Sequence, residues 1–211
     1  MTERRAPLLA FEGGEGTGKS TQARLLAERL GAVLTNEPGG TEVGARVRAV
    51  LLDPDTTRLD ARTEALLMAA DRAQHVAEVL SPALAAGRPV VTDRYIGSSL
   101  AYQGYGRGLD LDAVATLSAF ATGGLEADVV VLLVVPPAVR DARLADRPGL
   151  ADRLEREDVD FHDRVEAGFR ALAVAAPDRW VVVDGDGTVA EVTERVWAAV
   201  EPRLTAPPLE A

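Results

Sequence analysis

An α/β fold built on one parallel sheet follows from three observations on this 211-residue chain. Five short apolar runs are separated by helical patterns, two of those runs (VVVLLVV and WVVVD) are β-branched without alternation, and turn residues punctuate the junctions. Strands that are apolar on both sides are covered on both sides, and strands alternating with helices close into right-handed βαβ units. The 47% apolar and 27% charged composition supplies a core and excludes a disordered or fibrous chain.

In chain order, LLAFE at Leu8–Glu12 is the first strand. Ser20–Leu30 has helical spacing and stops at Gly31, and Ala32–Thr35 is the second strand. A helix over Glu42–Leu52 ends before Asp53-Pro54. A longer one over Thr63–Ala86 is expected to kink or divide at Pro82 and closes at Gly87. Pro89–Thr92 is the third strand, Asp110–Thr122 a helix, and Val129–Val135 the fourth strand. Helices over Pro137–Ala145 and Asp158–Ala176, a strand over Trp180–Asp184 and a helix over Val189–Glu201 complete the pattern. No repeat or low-complexity linker interrupts it, so one domain over residues 1–204 is expected, with a disordered tail over 205–211.

The absence of cysteine excludes disulfides and cysteine-ligated metals, and His75 and His162 are too few for a histidine-rich metal site. No run reaches the ~18 apolar residues of a membrane span, and the opening MTERRAPLLAFEGG has too short an apolar run for a secretion signal. A soluble cytoplasmic protein is the expectation. The net charge of −10 argues against a nucleic-acid partner, yet leaves room for a nucleotide held by a local cluster of donors. One residue of the 23 basic ones, Lys19, is lysine.

That lysine falls in Gly13-Gly14-Glu15-Gly16-Thr17-Gly18-Lys19-Ser20, a match to G-x-x-x-x-G-K-[ST], with a strand directly before and a helix directly after. Glycines let backbone N–H groups turn inward around phosphate oxygens, and the helix N-terminus adds partial positive charge. Lys19 is placed to bridge the β- and γ-phosphates, and the Ser20 hydroxyl to ligate Mg²⁺. With the parallel sheet, this predicts a P-loop NTPase fold. The pair Asp93-Arg94 stands at the end of the third strand, the edge where open parallel sheets bind ligands. Asp93 can hold magnesium through water, and Arg94 can fork onto a phosphate. A surface ion pair is the lesser alternative for Asp93-Arg94, whereas Arg72, on helix spacing alone, reads as an ordinary solvated helix arginine.

Taken together, FEGGEGTGKST, NEPGGT, LLMAADRAQH, TDRYIGSSLAYQGYGRG and DRLEREDVDFHDRV, in this order from about Leu8 to Val200, resemble the thymidylate kinase family. The resemblance implies ATP-dependent phosphorylation of dTMP to dTDP, a step of dTTP synthesis, with Mg²⁺ as cofactor, and a homodimer formed through the Thr63–Ala86 and Asp110–Thr122 regions. It implies ATP phosphates on Gly13 to Ser20 and Thr21. Arg94 would grip the acceptor phosphate, with Arg48 as helper beside Glu37, and Arg72 would donate to thymine O4. Ser99 and Gln103 would approach the base edge, Tyr102 would pack under the deoxyribose, Pro38 would lie near the 5-methyl group, and Glu15 near the 3′-hydroxyl. His75 and His162 fall inside these segments and receive no role. Met68 stands where the family commonly has a phenylalanine stacked on thymine; a polarizable thioether can cover a ring face, though less rigidly.

Because the acceptor is already an anionic oxygen, no strong general base is needed, and catalysis reduces to positioning and charge neutralisation during in-line transfer. An arginine-rich lid over about residues 140–157 is expected to supply the remaining cations, with Arg147 and Arg153 as candidates since Gly16 takes the place of a loop arginine. The run Asp184-Gly185-Asp186-Gly187 is a candidate adenine-side loop or a plain turn. Two competing readings are a P-loop kinase for another small acceptor and a nucleotide-dependent switch. The second would have no use for a second anion site.

Overall fold

The computed structural model describes residues 5–146 and 151–205. Arg147, the Pro148-Gly149 pair and the tail beyond 205 lie outside the described residues. Five strands, β1 (Leu8–Glu12), β2 (Val33–Asn36), β3 (Val90–Asp93), β4 (Val129–Val134) and β5 (Trp180–Asp184), form one parallel sheet in the order β2-β3-β1-β4-β5. Leu9 pairs with both Val91 and Val129, placing β1 at the centre.

Residues of β1 and β4 alternate between two cores, the period-2 consequence of the pleat. Leu9, Phe11, Val131 and Leu133 face α1 (Lys19–Leu30) and α9 (Val189–Thr205), against Leu26, Val192, Val196 and Val200. Leu8, Ala10 and Val130 face the opposite side, where Val76, Leu80 and Leu84 cover them. A third cluster joins Leu132 to Phe161, Val165 and Phe169 of α8 (Val159–Ala175).

Strand ends are set by backbone donors. Ala32 N–H bonds back to Ala27 O at 2.9 Å, beyond the left-handed Gly31 (φ 61°), so the ladder begins at Val33 rather than Ala32. Pro89 has no N–H, so β3 begins one residue later than expected. The prolines at 136 and 137 close β4 before Val135. Side chains cap α2 (Glu42–Leu52), α3 (Ala61–His75), α6 (Leu111–Thr122) and α8: Thr41, Asp60, Asp110 and Asp158 accept the first free N–H groups.

Three segments depart from expectation. After α3 the chain passes through a π-helical turn, Val76–Leu80, into α4 (Ser81–Ala85); Ser81 N–H bonds to Val76 O there, so Pro82 is absorbed by a widened turn. Helix α9 runs through Pro202 to Thr205 instead of stopping at Glu201, and the Arg203 guanidinium donates to Ala199 O at 3.1 Å. Residues 96–106, which carry no helical expectation because of their glycines, form α5 (Ile96–Ser99) and a π-helical segment, Leu100–Gly106. The glycines serve close approach: a Cβ on Gly97 would meet Glu12 Oε1 at 2.7 Å, and one on Gly104 would meet Leu111 Cδ2 at 2.5 Å. The remaining helix, α7 (Pro137–Ala145), leads into the expected lid.

Candidate active site

The glycine-rich loop joins β1 to α1 with Gly13, Gly16 and Gly18 at positive φ. A Cβ on Gly13 would lie 2.5 Å from Leu133 O, so the loop can seat against β4 only with glycine there. Lys19 is buried and its Nζ donates to Gly14 O at 2.6 Å. Burial lowers its pKa and the neighbouring Arg94 charge adds to this, against the opposing pull of Glu15, Asp93 and Glu12. Thr17 Oγ1 donates to Gly14 O, and Ser20 Oγ donates to Asp93 Oδ2 across to the end of β3. Thr21 is exposed on α1 and lines neither of the cavities described below.

Asp93 Oδ1 is buried with no hydrogen-bond partner among the described residues. An orphaned carboxylate oxygen beside a hydroxyl is a hard-oxygen pair that suits Mg²⁺, which takes few protein ligands and completes its shell with water and phosphate.

Arg94 follows on β3 at φ 72°, a left-handed conformation that costs a non-glycine residue about 1–3 kcal/mol. Its backbone N–H bonds to Phe11 O, and its guanidinium donates to Glu15, to Ser98 Oγ at 3.0 Å, to Gly13 O at 3.2 Å and to the phenol oxygen of Tyr102, Oη, at 3.3 Å. Burial opposes its charge, but Tyr102, Glu15, Asp93 and Glu12 outweigh that and raise its pKa, so it stays cationic. Behind it, Glu12 is fully buried and accepts from Tyr95 N–H, Ser98 N–H and Ser98 Oγ. Burial pushes the Glu12 carboxyl up to about 7, with the Ser98 hydroxyl and Arg94 holding it from going higher.

A cavity of about 1140 Å³ opens beside Arg94. It brings together the expected Glu37, Pro38, Arg48, Met68, Arg72, Ser99 and Tyr102 with Glu15, Lys19, Ser20 and Asp93. The Glu37–Pro38 peptide is cis, and Arg48 Nη1 donates to Pro38 O at 2.9 Å. Arg72 is 2% exposed and is no solvated helix arginine: it donates to Glu37, Ser99 Oγ, Ser118 Oγ and Tyr95 O.

A second cavity of about 480 Å³ lies across the loop, lined by Gly13, Gly14, Thr17, Leu133, Arg140 and Phe169 among others, and Glu15, Tyr102, Glu155 and His162 line both. Helix α7 brings Arg143 over the loop, donating to Gly185 O at 3.0 Å and, more weakly at 3.4 Å, to Gly16 O and Thr17 O. Gly185 packs close to Thr17 O, so the run 184–187 adjoins the glycine-rich loop.

Two expected site residues are directed elsewhere. Gln103 is fully buried, donates to Glu64 at 2.9 Å and lines neither cavity. Arg153 also lines neither: its Nη2 donates to Glu64 at 2.7 Å and its Nε to Leu51 O at 2.7 Å. The buried Glu64 carboxylate attracts it. Burial disfavours that charge, but hydrogen bonds from Arg107, Gln103 and Arg153 hold its pKa below the usual range. Glu12, Glu64, Arg143 and Ser118 received no site assignment from sequence; Arg143 could have been found from its place among the lid arginines, while the others carry no local signal.

A thymidylate kinase family model matches residues 11–196. A thymidylate kinase of a Synechococcus species is 50% identical over 201 residues, covering 93% of this chain and 95% of the relative. The thymidylate kinase of Deinococcus radiodurans is 48% identical over 200 residues, covering 92% and 96%. The crystal structure of thymidylate kinase from Ehrlichia chaffeensis superposes with a TM-score of 0.77 at 29% identity, covering 93% of this chain and all of that one.

Proposed function

The chain belongs to the thymidylate kinase family and transfers a phosphoryl group from ATP to dTMP, giving dTDP, and on that premise we propose how its residues divide the work. The single observation that carries the division is that Glu15 and Tyr102 line both cavities, with Lys19 and Arg94 lining the larger one. The donor phosphates lie along the loop from Gly13 to Ser20, with Thr21 and the α1 N-terminus adding N–H groups, and Lys19 leaves Gly14 O to meet the β- and γ-oxygens. Arg143 and the run 184–187 form the adenine side. Ser20 and, through water, Asp93 would hold Mg²⁺, whose charge would offset that of the phosphate oxygens.

The acceptor occupies the larger cavity. Arg94 grips its phosphate with Arg48 nearby, Arg72 and Ser99 address the base edge, Tyr102 underlies the deoxyribose, Pro38 flanks the 5-methyl group, Met68 covers the ring, and Glu15 meets the 3′-hydroxyl. The attacking oxygen already bears charge, so these residues act by alignment and by offsetting charge during in-line transfer. Arg147 in the lid over 140–157 supplies a further cation at the transferring group. Arg153 acts as a strut.

We further propose a homodimer through α3 and α6: Phe120 is 87% exposed and Leu66 58%, apolar surface that a partner copy would cover. No described helix is long and apolar enough to cross a membrane. The test is transfer from ATP–Mg²⁺ to dTMP, dUMP, dCMP, dGMP, UMP and AMP. Preference for dTMP is expected; preference for another monophosphate would keep the donor side and discard the base-pocket roles.

A further inference from the structure

Thr35, His75, Glu37 and Arg72 form a hydrogen-bonded chain beside the acceptor cavity: His75, Glu37 and Arg72 are buried, while Thr35 is half-buried and lines the cavity together with Glu37 and Arg72. His75 is 0% exposed, and both ring nitrogens are engaged: Nδ1 with Glu37 Oε1 at 2.8 Å and Nε2 with Thr35 Oγ1 at 2.7 Å. A carboxylate only accepts, so Nδ1 carries a proton toward Glu37, and Nε2 shares a hydrogen bond with the Thr35 hydroxyl, which can donate or accept. The other Glu37 oxygen accepts from Arg72 Nε at 2.8 Å. Arg72 and His75 stand three residues apart on one face of α3, so a single helix grips both oxygens of one carboxylate. Gly40 makes room for this, since a Cβ there would lie 2.9 Å from His75 Cδ2 and 2.9 Å from Thr35 Oγ1.

The terminal torsion of a glutamate side chain is soft, and an arginine bound to one of its oxygens alone could swing with it. With both oxygens held, the plane of the carboxylate is fixed, and so is the direction of Arg72 Nε–H. Ser99, Ser118 and Tyr95 O take three more of the guanidinium's donors, leaving one Nη2–H uncommitted among the described residues on a side chain that lines the cavity. We propose that His75 is a positioning residue for base selection: by locking Glu37 it sets the Arg72 donor toward an exocyclic carbonyl, and so favours a 4-oxo pyrimidine over a 4-amino one. This rests on the reading of Arg72 as the base contact.

The test measures kcat and KM for dTMP and for ATP, the dTMP-to-dCMP ratio of kcat/KM, and thermal unfolding, for wild type, His75→Leu, His75→Asn, Thr35→Val and Arg72→Met. His75→Leu should raise KM for dTMP roughly tenfold and lower the ratio by a similar factor, with KM for ATP moving less than about twofold. His75→Asn, whose amide can donate where Nδ1 does, should recover most of both. Thr35→Val should move both in the direction of His75→Leu, and carries the test if His75→Leu does not fold. Unchanged dTMP parameters in folded His75→Leu, equal loss for both substrates, no recovery with asparagine, or an inert Thr35→Val would each overturn the inference. If Arg72→Met leaves the ratio intact, the base-contact reading falls and takes this inference with it; if Arg72→Met lowers the ratio and the His75 variants do not, only the inference fails.

Discussion

Glu12 carries a protonation equilibrium that sequence inspection could not anticipate, because burial raises it from an ordinary 4.5 to about 7. Between those values the native state holds a proton that the unfolded chain releases, so stability falls as pH rises. The contribution is complete below about 4.5 and lost as pH passes through 7. Glu12→Gln, which mimics the protonated acid, should remove this slope. Urea unfolding of the wild type should lose about 2–3 kcal/mol more than the variant between pH 5 and pH 8. Parallel pH profiles would refute the assignment. His75 illustrates the same limit at short range: its partners Glu37 and Thr35 stand 38 and 40 positions away, so an apparently indifferent histidine proves to be bonded at both nitrogens.

At the scale of elements, the C-terminal part of the expected lid is tied to α2 and α3. Arg153 N–H bonds to Leu52 O and its side chain to Leu51 O and Glu64, while Arg107 joins Glu64 to Glu157. Arg153→Ala should cost about 2–3 kcal/mol of stability, since Arg107 still compensates part of the buried carboxylate. Arg147→Ala should instead lower kcat far more than it raises KM for dTMP, with little change in unfolding temperature. The reverse pattern would exchange the two roles. The glycine-rich loop was legible because its motif occupies consecutive positions between a strand and a helix. The bond from Arg153 to Glu64 could not be read from sequence because its partner stands 89 residues earlier, where no spacing pattern connects them. Residues 96–106 were illegible for a different reason: glycine signals turns and close packing alike, and here it answers to packing.

For the whole molecule, the five strands and most helices follow from period and punctuation, since each is decided within ten or twenty residues. Which elements share a cavity is decided by the crossovers, and the order β2-β3-β1-β4-β5 puts the acceptor-side segments on one flank of β1 and α7 with β4 on the other. The proposed dimer face has its own test. Phe120→Glu places a charge on the most exposed large apolar side chain among the described residues, and light scattering should find the wild type dimeric and the variant monomeric. A monomeric wild type would reject the interface.

Lys19 also makes the protein a natural reporter. Because it is the sole lysine, an amine-directed acylating reagent has one side-chain target in the whole chain, the α-amino group apart. Its lowered pKa increases the fraction of free amine, while its burial slows access. Mass spectrometry of the acylated protein should therefore give a single internal adduct whose rate of formation reads occupancy of the donor site directly, with no engineered label.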